Sequence, residues 1–469
     1  MAEPSTSERL DRSAVVTLVA LSLGILVVAN DFTALSVAVP SIEHDLDSSL
    51  NRAQWVINGY TVVFGVLIVT GGRFADLFGR RRVFVIGALV FGGFSLLGGL
   101  APNIGLLIAS RALMGIGGAM MWPSVLGMVY EIIPKSRSGL AGGLIIGVAG
   151  LGNSIGPLLG GILTDTLGWR SIFFLNVPVA LLAVLVVMRN VPESARGRGA
   201  RVDYAGIATL SAAVVLILVA LDVGSANSFA SPWVIGMVVV GVLLIPAFVL
   251  VQRRQGDDAL VPPRVVASRQ FTGALVSIVL LGSVFFGVLV YVPQYLEKEL
   301  GWTAFAAGAG LLPMMLTFAT VSFAAGPLYH RIGSRPVVGI GAACLTAGVL
   351  VVALVIGTGY LPLVPGLVLC GVGVGLYFSA VTTAAVTAVR PEDSSLAGGI
   401  VYMGNVAGGS LGLGVNTAIV LAAAAFTVGM RNAFLVDAAL GVIGTIVAIA
   451  LIRSEGSRTH AAGSSTTKT

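Results

Sequence analysis

Two side chains of opposite charge, Asp31 and Arg111, lie inside long apolar segments of this chain. An ionisable group in the middle of a membrane span costs about 2.5–3.5 kcal/mol, so each of them is a functional candidate. With a rise of about 1.5 Å per residue, Asp31 lies roughly 13 Å and Arg111 roughly 10 Å from the expected span end on one side. If their helices adjoin, the two charges neutralise each other, and proton uptake by Asp31 would release Arg111. A static buried ion pair is the alternative.

The segments that contain these residues belong to a series that runs along the whole chain. Of the 469 residues, 56% are hydrophobic and only 10% are charged. Apolar stretches of roughly 20 residues, enough to cross a bilayer core, recur from end to end. The sequence therefore predicts an all-α polytopic membrane protein with fourteen transmembrane helices. The predicted spans are 14–40, 53–72, 82–101, 104–129, 138–163, 171–190, 204–223, 233–252, 271–294, 304–329, 336–357, 361–388, 395–424 and 432–453.

Basic residues are concentrated on one side of these spans. The side of the N-terminus contains Arg73, Arg80, Arg81, Arg82, Lys135, Arg137, Arg196, Arg198, Arg201, Arg253, Arg254, Arg331 and Arg335. The opposite side contains Arg52, Arg170, Lys298 and Arg431. Short loops rich in lysine and arginine stay in the cytoplasm, so we expect both termini there, in a plasma or bacterial inner membrane. The net charge of +6 follows from this bias, and no nucleic-acid partner is expected.

Two sequence patterns occur twice at nearly one displacement. The segment Gly72–Arg81 is echoed by Gly326–Arg335, and Leu140–Gly143 (LAGG) returns as Leu396–Gly399. A duplicated six-helix unit predicts two bundles with two further helices between them. The predicted domains are an N-terminal six-helix bundle at 1–190, linkers with two inserted helices at 191–270, a C-terminal six-helix bundle at 271–453 and a disordered tail at 454–469.

The segment between the second and third predicted spans could close a contact between helices. Asp76 can accept hydrogen bonds from a helix N-terminus or pair with Arg80, and Gly72 and Gly79 permit a tight turn and close approach. The segment resembles the cytoplasmic loop motif of the major facilitator superfamily, which implies two bundles that rock around a central cavity. The residues of the implied cytoplasmic gate are Gly72, Asp76, Gly79, Arg80 and Arg81. In the second copy His330 replaces the acid, so we expect a degenerate gate there. A topology signal made of arginines is the alternative.

A glycine array runs through the fifth predicted span. It consists of Gly143, Gly152, Gly156, Pro157, Gly160 and Gly161. Glycines at three- to four-residue spacing let a neighbouring backbone approach closely, and the Gly-Pro step weakens a hydrogen bond and kinks the helix. The array resembles the antiporter motif of drug exporters in the same superfamily. Plain helix packing would explain any two of these glycines.

Further resemblances point to one branch of the superfamily. The stretch 30–40 resembles the first-span signature of fourteen-span drug/proton antiporters, and 111–119 is similar to the family's proton-transfer motif, with Met114 where a glutamine is usual. Segments 54–60 and 169–178 look like the same branch. The chain therefore resembles the QacA/EmrB-like drug/proton antiporters, and the resemblance implies that Asp31 and Arg111 couple proton movement to transport.

Several polar and aromatic side chains within the spans could line a central cavity. They are Asn58, Tyr60, Trp122, Tyr291, Gln294, Tyr377, Tyr402 and Asn405. Aromatic walls suit planar lipophilic cations, although most aromatics in such chains simply pack. The other intramembrane acids, Glu131, Asp222 and Asp437, lie close to predicted span ends, so we interpret them as solvated termini.

The sequence thus predicts a proton-coupled antiporter, working as a monomer, that exports hydrophobic and cationic drug-like compounds by alternating access. Its expected partners are membrane lipid, protons and an amphiphilic small molecule. An exporter of an endogenous lipid or secondary metabolite is an alternative, and a membrane sensor that transports nothing is another. No nucleophile, phosphate-loop or metal-ligand pattern occurs, so we expect neither an enzyme nor a cofactor or metal, and the proton gradient would supply the energy.

Overall fold

The computed structural model describes residues 12–134, 137–193, 202–226 and 231–452. The predicted tail at 454–469 and part of the first predicted linker lie outside these residues. The α-helices are α1 Arg12–Asp45, α2 Leu50–Phe78, α3 Arg80–Gly99, α4 Ile104–Ile132, α5 Ser138–Leu167, α6 Arg170–Asn190, α7 Tyr204–Ala226, α8 Pro232–Gln255, α9 Pro263–Ala267, α10 Arg269–Lys298, α11 Ala304–Ala309, α12 Leu312–Ile332, α13 Ser334–Val355, α14 Leu363–Thr387, α15 Ser394–Ala422 and α16 Phe426–Leu451.

Helices long and apolar enough to cross a membrane dominate this structure. Within the described residues thirteen of them qualify, so the prediction of an all-α polytopic protein is confirmed. The span predicted at 204–223 falls on the 23-residue helix α7, of which Tyr204–Ile217 is the apolar stretch among the residues with described side chains. The count of fourteen therefore stays a prediction.

The two bundles repeat one pattern of helix contacts. Helix α1 packs on α5 and α6, α2 on α4, and α3 on α4 and α6; correspondingly, α10 packs on α15 and α16, α12 on α14, and α13 on α14 and α16. The turns between α2 and α3 and between α12 and α13 pass through Gly79 (φ 102°) and Gly333 (φ 84°), a backbone region that favours glycine. Helices α5 and α12, and α2 and α15, join the bundles, while α7 packs on α8 and contacts both α2 and α15.

Helix α5 changes its neighbour along its length, and the glycine array explains how. A methyl group at Gly143 would lie 2.7 Å from the carbonyl oxygen of Ser322 in α12. A methyl group at Gly152, Gly156 or Gly160 would instead collide with α1. The first half of α5 therefore closes on the other bundle and the second half on its own. Helix α15 repeats the arrangement, because its early glycine approaches α2 and its later glycines approach α10.

Candidate functional site

The charged pair predicted from the sequence forms inside the first bundle. The Arg111 guanidinium donates to Asp31 Oδ2, and neither side chain is exposed. Helices α1 and α4 contact each other, which brings the two residues together at matched depth. In a low-dielectric interior such a pair is stable only when further hydrogen bonds satisfy the remaining polar atoms.

Asn176 in α6 completes the carboxylate end of the pair. Its Nδ2 donates to Asp31 Oδ1 at 3.1 Å and to Ser95 Oγ at 3.2 Å, and Ser95 in turn donates to the Phe173 carbonyl at 2.8 Å. Both Asn176 and Ser95 are buried. Asn176 was not among the residues predicted from the sequence; an amide side chain within an apolar helix was the available signal.

The guanidinium end of the pair lies among groups from α2. Arg111 Nε donates to the Val56 carbonyl at 2.8 Å, and its Cζ lies 4.4 Å from the centroid of the Tyr60 ring. The second terminal nitrogen, Nη2, is buried and makes no hydrogen bond within the described residues. Met114 Sδ lies 3.9 Å from Nη1 where a glutamine would have offered an oxygen. Among the described residues, Asp31 is therefore the only charged partner of Arg111.

A second polar cluster, the gate cluster, joins the bundles at the end of the molecule where α2 meets α3, here called the arginine end. Asp76 accepts hydrogen bonds from the backbone N–H of Leu396 at 2.8 Å and of Ser395 at 3.3 Å, in the first turn of α15. A carboxylate at a helix N-terminus interacts favourably with the helix dipole. At the same contact Gly72 has no space for a methyl group beside Ser395 and Leu396.

Arg80 connects this cluster to three helices. Its Nε and Nη2 donate to Asp76 Oδ1 at 3.3 Å and 3.2 Å, and its Nη1 donates to Glu131 at 3.0 Å and to the Gly127 carbonyl at 3.2 Å, both in α4. Across the bundle interface Nη2 donates to Ser394 Oγ at 2.8 Å and to the Pro391 carbonyl. Arg81 lies outside this network, donating to the Val191 carbonyl at 2.9 Å.

Asp393, just before α15, attracts three arginines at the same end. Arg264 binds it through two hydrogen bonds, of 3.0 Å and 3.1 Å, and Arg73 and Arg390 lie 3.9 Å and 3.7 Å away. Asp393 and Arg73 are buried, whereas the Arg264 and Arg390 side chains are 30% and 55% exposed, so water reaches the cluster from the side of these two arginines. Neither Asp393 nor Arg264 was predicted from the sequence, because their contact joins the bundle to the linker after α8.

That linker is fixed by a small hydrogen-bond cluster around Asp203. The Asp203 carboxylate accepts from Gly206 N at 2.7 Å, Gln252 Nε2 at 2.8 Å and Leu260 N at 3.1 Å. Gln252 Oε1 accepts from Val261 N at 2.8 Å. Both side chains are buried. The inserted pair α7–α8 and its linker therefore form one anchored unit that positions Arg264.

The predicted cavity residues differ in their surroundings. Tyr60, Trp122, Tyr291 and Tyr377 are buried, whereas Asn58, Gln294, Tyr402 and Asn405 are half-buried. Trp122 and Tyr402, from opposite bundles, approach with ring centroids 4.5 Å apart. The Tyr377 hydroxyl donates to Ser277 at 2.8 Å. A common lining surface for the eight residues stays a prediction.

The structure also shows where the remaining acids and His330 of the second motif copy lie. The Glu131 side chain is 52% exposed, which agrees with a solvated helix end. Asp437 is fully buried, so its interpretation as a solvated terminus was wrong; α16 begins at Phe426 rather than at 432 and places Asp437 deeper. The side chains of Asp222 and Pro157 lie outside the described part. His330 is exposed.

At the end opposite to the arginine end, α1 and α6 meet through Asp45. The Arg170 guanidinium and Trp169 Nε1 both donate to Asp45 Oδ2, the latter at 3.1 Å. These hydrogen bonds, that of Arg170 foremost, lower the pKa of the Asp45 carboxyl. Beside them lies an open pocket lined by Pro40, Ser41, His44, Asp45, Thr164, Leu167, Gly168, Trp169 and Arg170.

Comparison with known proteins gives concordant matches. The family profile described as Major Facilitator Superfamily matches residues 21–413 and 314–468. A puromycin resistance protein of Streptomyces alboniger is 37% identical over 418 residues, which cover 87% of this chain and 82% of that protein. A tetracenomycin C resistance and export protein of Streptomyces glaucescens is 31% identical over 406 residues, covering 85% of this chain and 74% of that protein.

A solved structure has the same arrangement of helices. The human organic anion transporter MFSD10 superposes with a TM-score of 0.68 at 15% identity, covering 93% of this chain and 99% of that chain. At this level of identity the similarity concerns the fold alone.

Proposed function

Because the chain belongs to the Major Facilitator Superfamily, we propose that it is a proton-coupled antiporter that exports hydrophobic, cationic drug-like compounds. Membership indicates a polytopic membrane transporter rather than an enzyme, with the all-helical fold of that superfamily. Within it, we propose the QacA/EmrB-like fourteen-span branch, with domains at 1–190, 191–270 and 271–453 and α7–α8 as the inserted pair.

The observation that carries the proposal is the buried pair of Asp31 and Arg111. Removing one partner from such a pair costs about 3–5 kcal/mol, because a charge stays buried without compensation. A proton on Asp31 has the same effect on Arg111, whose Nη2 already lacks a partner within the described residues. Proton binding therefore favours any conformation in which Arg111 gains other acceptors or water.

Helices α2 and α4 connect this pair to the gate cluster. Arg111 in α4 donates to Val56 of α2, and the same helices carry Gly127 and Asp76 at the arginine end. Since a helix rises about 1.5 Å per residue, Arg111 and Gly127 lie roughly 24 Å apart along α4. A displacement of α4 at Arg111 is thus transmitted along a rigid element to the contacts of Arg80.

We propose that the arginine end faces the cytoplasm, since basic loops stay inside, so that both termini are cytoplasmic. The gate cluster, Gly139 against Gly326, and Tyr130 bonded to Thr383 at 3.0 Å all join the bundles towards that end. These contacts support a conformation that is closed at the cytoplasmic end, and an external proton would reach the buried Asp31 when the opposite end opens. Its arrival would weaken the gate cluster and admit substrate from the cytoplasm.

A second cargo class is favoured by the relatives. One is named for resistance to puromycin and another for resistance to and export of tetracenomycin C. The substrate of this chain could therefore be a secondary metabolite exchanged for protons by the same machinery. Competition between such compounds and a synthetic lipophilic cation for export would separate the two cargo classes.

The test is efflux of a fluorescent lipophilic cation from proteoliposomes under an imposed pH gradient. We expect gradient-dependent flux with the wild type and loss of that flux with Asp31→Asn. Asp45→Asn is the matched control, because it makes the same chemical change in the same helix at a partly exposed site. Gradient-driven efflux that persists in Asp31→Asn would refute the assignment of the coupling acid, and a wild type without any gradient-dependent flux would refute antiport of such cations.

A further inference from the structure

The C-terminal bundle contains a buried carboxylate that the mechanism above does not use. Asp437 in α16 is 0% exposed, and its Oδ2 accepts a hydrogen bond of 2.8 Å from Nδ2 of Asn416 in α15. Asp437 Oδ1 and Asn416 Oδ1 are both buried, and neither has a hydrogen-bond partner within the described residues. Two acceptor oxygens in one apolar cluster therefore lack a donor.

The internal repeat relates this cluster to the pair of Asp31 and Arg111. The pattern Arg-x-x-Phe-x-x-Asn that ends at Asn176 returns in α16 as Arg-x-x-Phe-x-x-Asp ending at Asp437. Gly287 in α10 follows Asp31 by the same 256 positions that separate Gly143 from Gly399. A methyl group at Gly287 would collide with Asp437 Oδ2. The acid thus lies on the first helix of the repeat in the N-terminal bundle and on the sixth helix in the C-terminal bundle. In both bundles its carboxylate lies between the first and the sixth helix.

In the described part of the second bundle, no arginine forms an ion pair with this acid. The repeat displacement that relates Gly115 to Gly371 relates Arg111 to Leu367, an apolar residue. Its helix, α16, packs on α10, α13 and α15. The titratable groups along those helices that are uncharged at neutral pH are Tyr291, Tyr295, Cys344 and Tyr402. The Tyr291 hydroxyl shares a 2.7 Å hydrogen bond with Thr417.

Fixed charges near this cluster occur only at helix ends. In the described lengths of α10, α13, α15 and α16 the acidic and basic residues besides Asp437 are Arg269, Glu297, Lys298, Arg335 and Arg431. Of these, Lys298 lies 4.7 Å from the centroid of the Phe426 ring, at the first turn of α16. None of the ion pairs among the described residues includes Asp437.

From this geometry we infer that Asp437 is a second proton-binding site, independent of the pair of Asp31 and Arg111. An ionised carboxylate buried without a cation costs several kcal/mol, whereas a neutral carboxyl costs only the desolvation of a polar group that keeps its hydrogen bond. A proton on Asp437 also supplies a donor to a cluster whose two orphaned oxygens have none. In this conformation the carboxyl is neutral.

The consequence for transport rests on the proposed function. If the bundles rock and water reaches α10, α15 and α16, Asp437 releases its proton and takes another on the return. Each cycle then moves one proton more than Asp31 alone would carry.

Infrared spectroscopy of the purified full-length protein in nanodiscs tests the site without any transport. A protonated carboxyl has a carbonyl band that shifts when water is exchanged for D₂O. We expect this band at neutral pH in the wild type, its loss in Asp437→Asn and its persistence in Asp31→Asn, whose carboxylate is paired with Arg111. Asp437→Glu should move the band rather than remove it, which separates loss of the acid from misfolding.

Two results would overturn the inference. One is a carbonyl band that has the same intensity in Asp437→Asn as in the wild type at every pH. The other is a carboxyl that ionises on addition of sodium chloride at constant pH, which would make the ligand a metal cation instead of a proton. The number of protons exchanged per exported cation should fall by one in Asp437→Asn. A complete absence of gradient-driven flux would refute the proposed function and leave the spectroscopic result intact, so the two failures are distinguishable.

Discussion

Asp76, near the end of α2, accepts a 2.8 Å hydrogen bond from the backbone N–H of Leu396 in the first turn of α15. The two residues lie 320 positions apart and belong to different bundles. Through this bond the gate motif of the first bundle caps a helix of the second. The N–H groups of a first helical turn have no partner within their own helix, so the capping carboxylate stabilises α15 as well as the interface.

Asp76→Asn should open the arginine end. Breaking a buried ion pair costs about 3–5 kcal/mol, and because Arg80 keeps Glu131 and Ser394 as partners, we expect the lower part of that range. Spin labels at Phe78 and Ile332, each 42% exposed, would report a longer mean distance in double electron–electron resonance.

The control for this measurement is Asp165→Asn, which removes an exposed carboxylate from α5. Both native cysteines, Cys344 and Cys370, are replaced by alanine in every sample. An unchanged distance distribution in Asp76→Asn would show that the carboxylate does not stabilise the closed gate cluster.

Arg264→Ala should loosen the start of α15 while preserving the fold. The paired hydrogen bonds to Asp393 are partly screened, because the Arg264 side chain is 30% exposed, so we expect a cost of about 1 kcal/mol. Hydrogen–deuterium exchange at Ser395 and Leu396 should accelerate roughly fivefold, as that energy implies. Arg269→Ala, an exposed arginine of the same region, should leave exchange unchanged. Equal exchange rates in both variants would assign Arg264 no part in the gate cluster.

Gly160→Ala and Gly161→Ala form a matched pair on α5. A methyl group at Gly160 would collide with the Ala34 carbonyl, whereas at Gly161 the nearest atom, Cγ1 of Val37, would lie 3.8 Å away. Overpacking costs about 1–3 kcal/mol, so the melting temperature in detergent should fall for Gly160→Ala only. Similar melting temperatures in the two variants would mean that α1 and α5 can move apart without loss of stability.

The pH dependence of transport should not involve Asp45. The hydrogen bonds from Arg170 and Trp169 lower its pKa, so its contribution to stability is present above the ordinary pKa of an aspartate and is lost only when pH falls through the lowered value. Between about pH 5 and pH 8 the carboxylate is ionised in both the folded and the unfolded state. The pH profile of flux in Asp45→Asn should therefore superimpose on that of the wild type. A shifted profile would give Asp45 a part in coupling.

Local chemistry made much of this structure predictable. Hydropathy locates the helices, and the rise per residue placed Asp31 and Arg111 at matched depth before their contact was known. Contacts between distant segments were not predictable. Asn176, Asp393 and Arg264 act through partners from other helices, and single-sequence patterns do not encode helix rotation or linker path. The error at Asp437 has a simpler cause, since α16 extends about one and a half turns beyond its predicted start.

If the bundles rock as proposed, the contact of α7 with both α2 and α15 makes the lipid bilayer a participant in the transport cycle. When α2 and α15 separate, α7 must leave at least one of them and carry α8 with it. Helix α8 faces outward, since only 11% of its most apolar stretch is buried, so its displacement reorganises the surrounding acyl chains. The energy of that reorganisation depends on membrane thickness and lateral pressure. On this proposal, turnover is a joint property of the protein and the membrane that surrounds it.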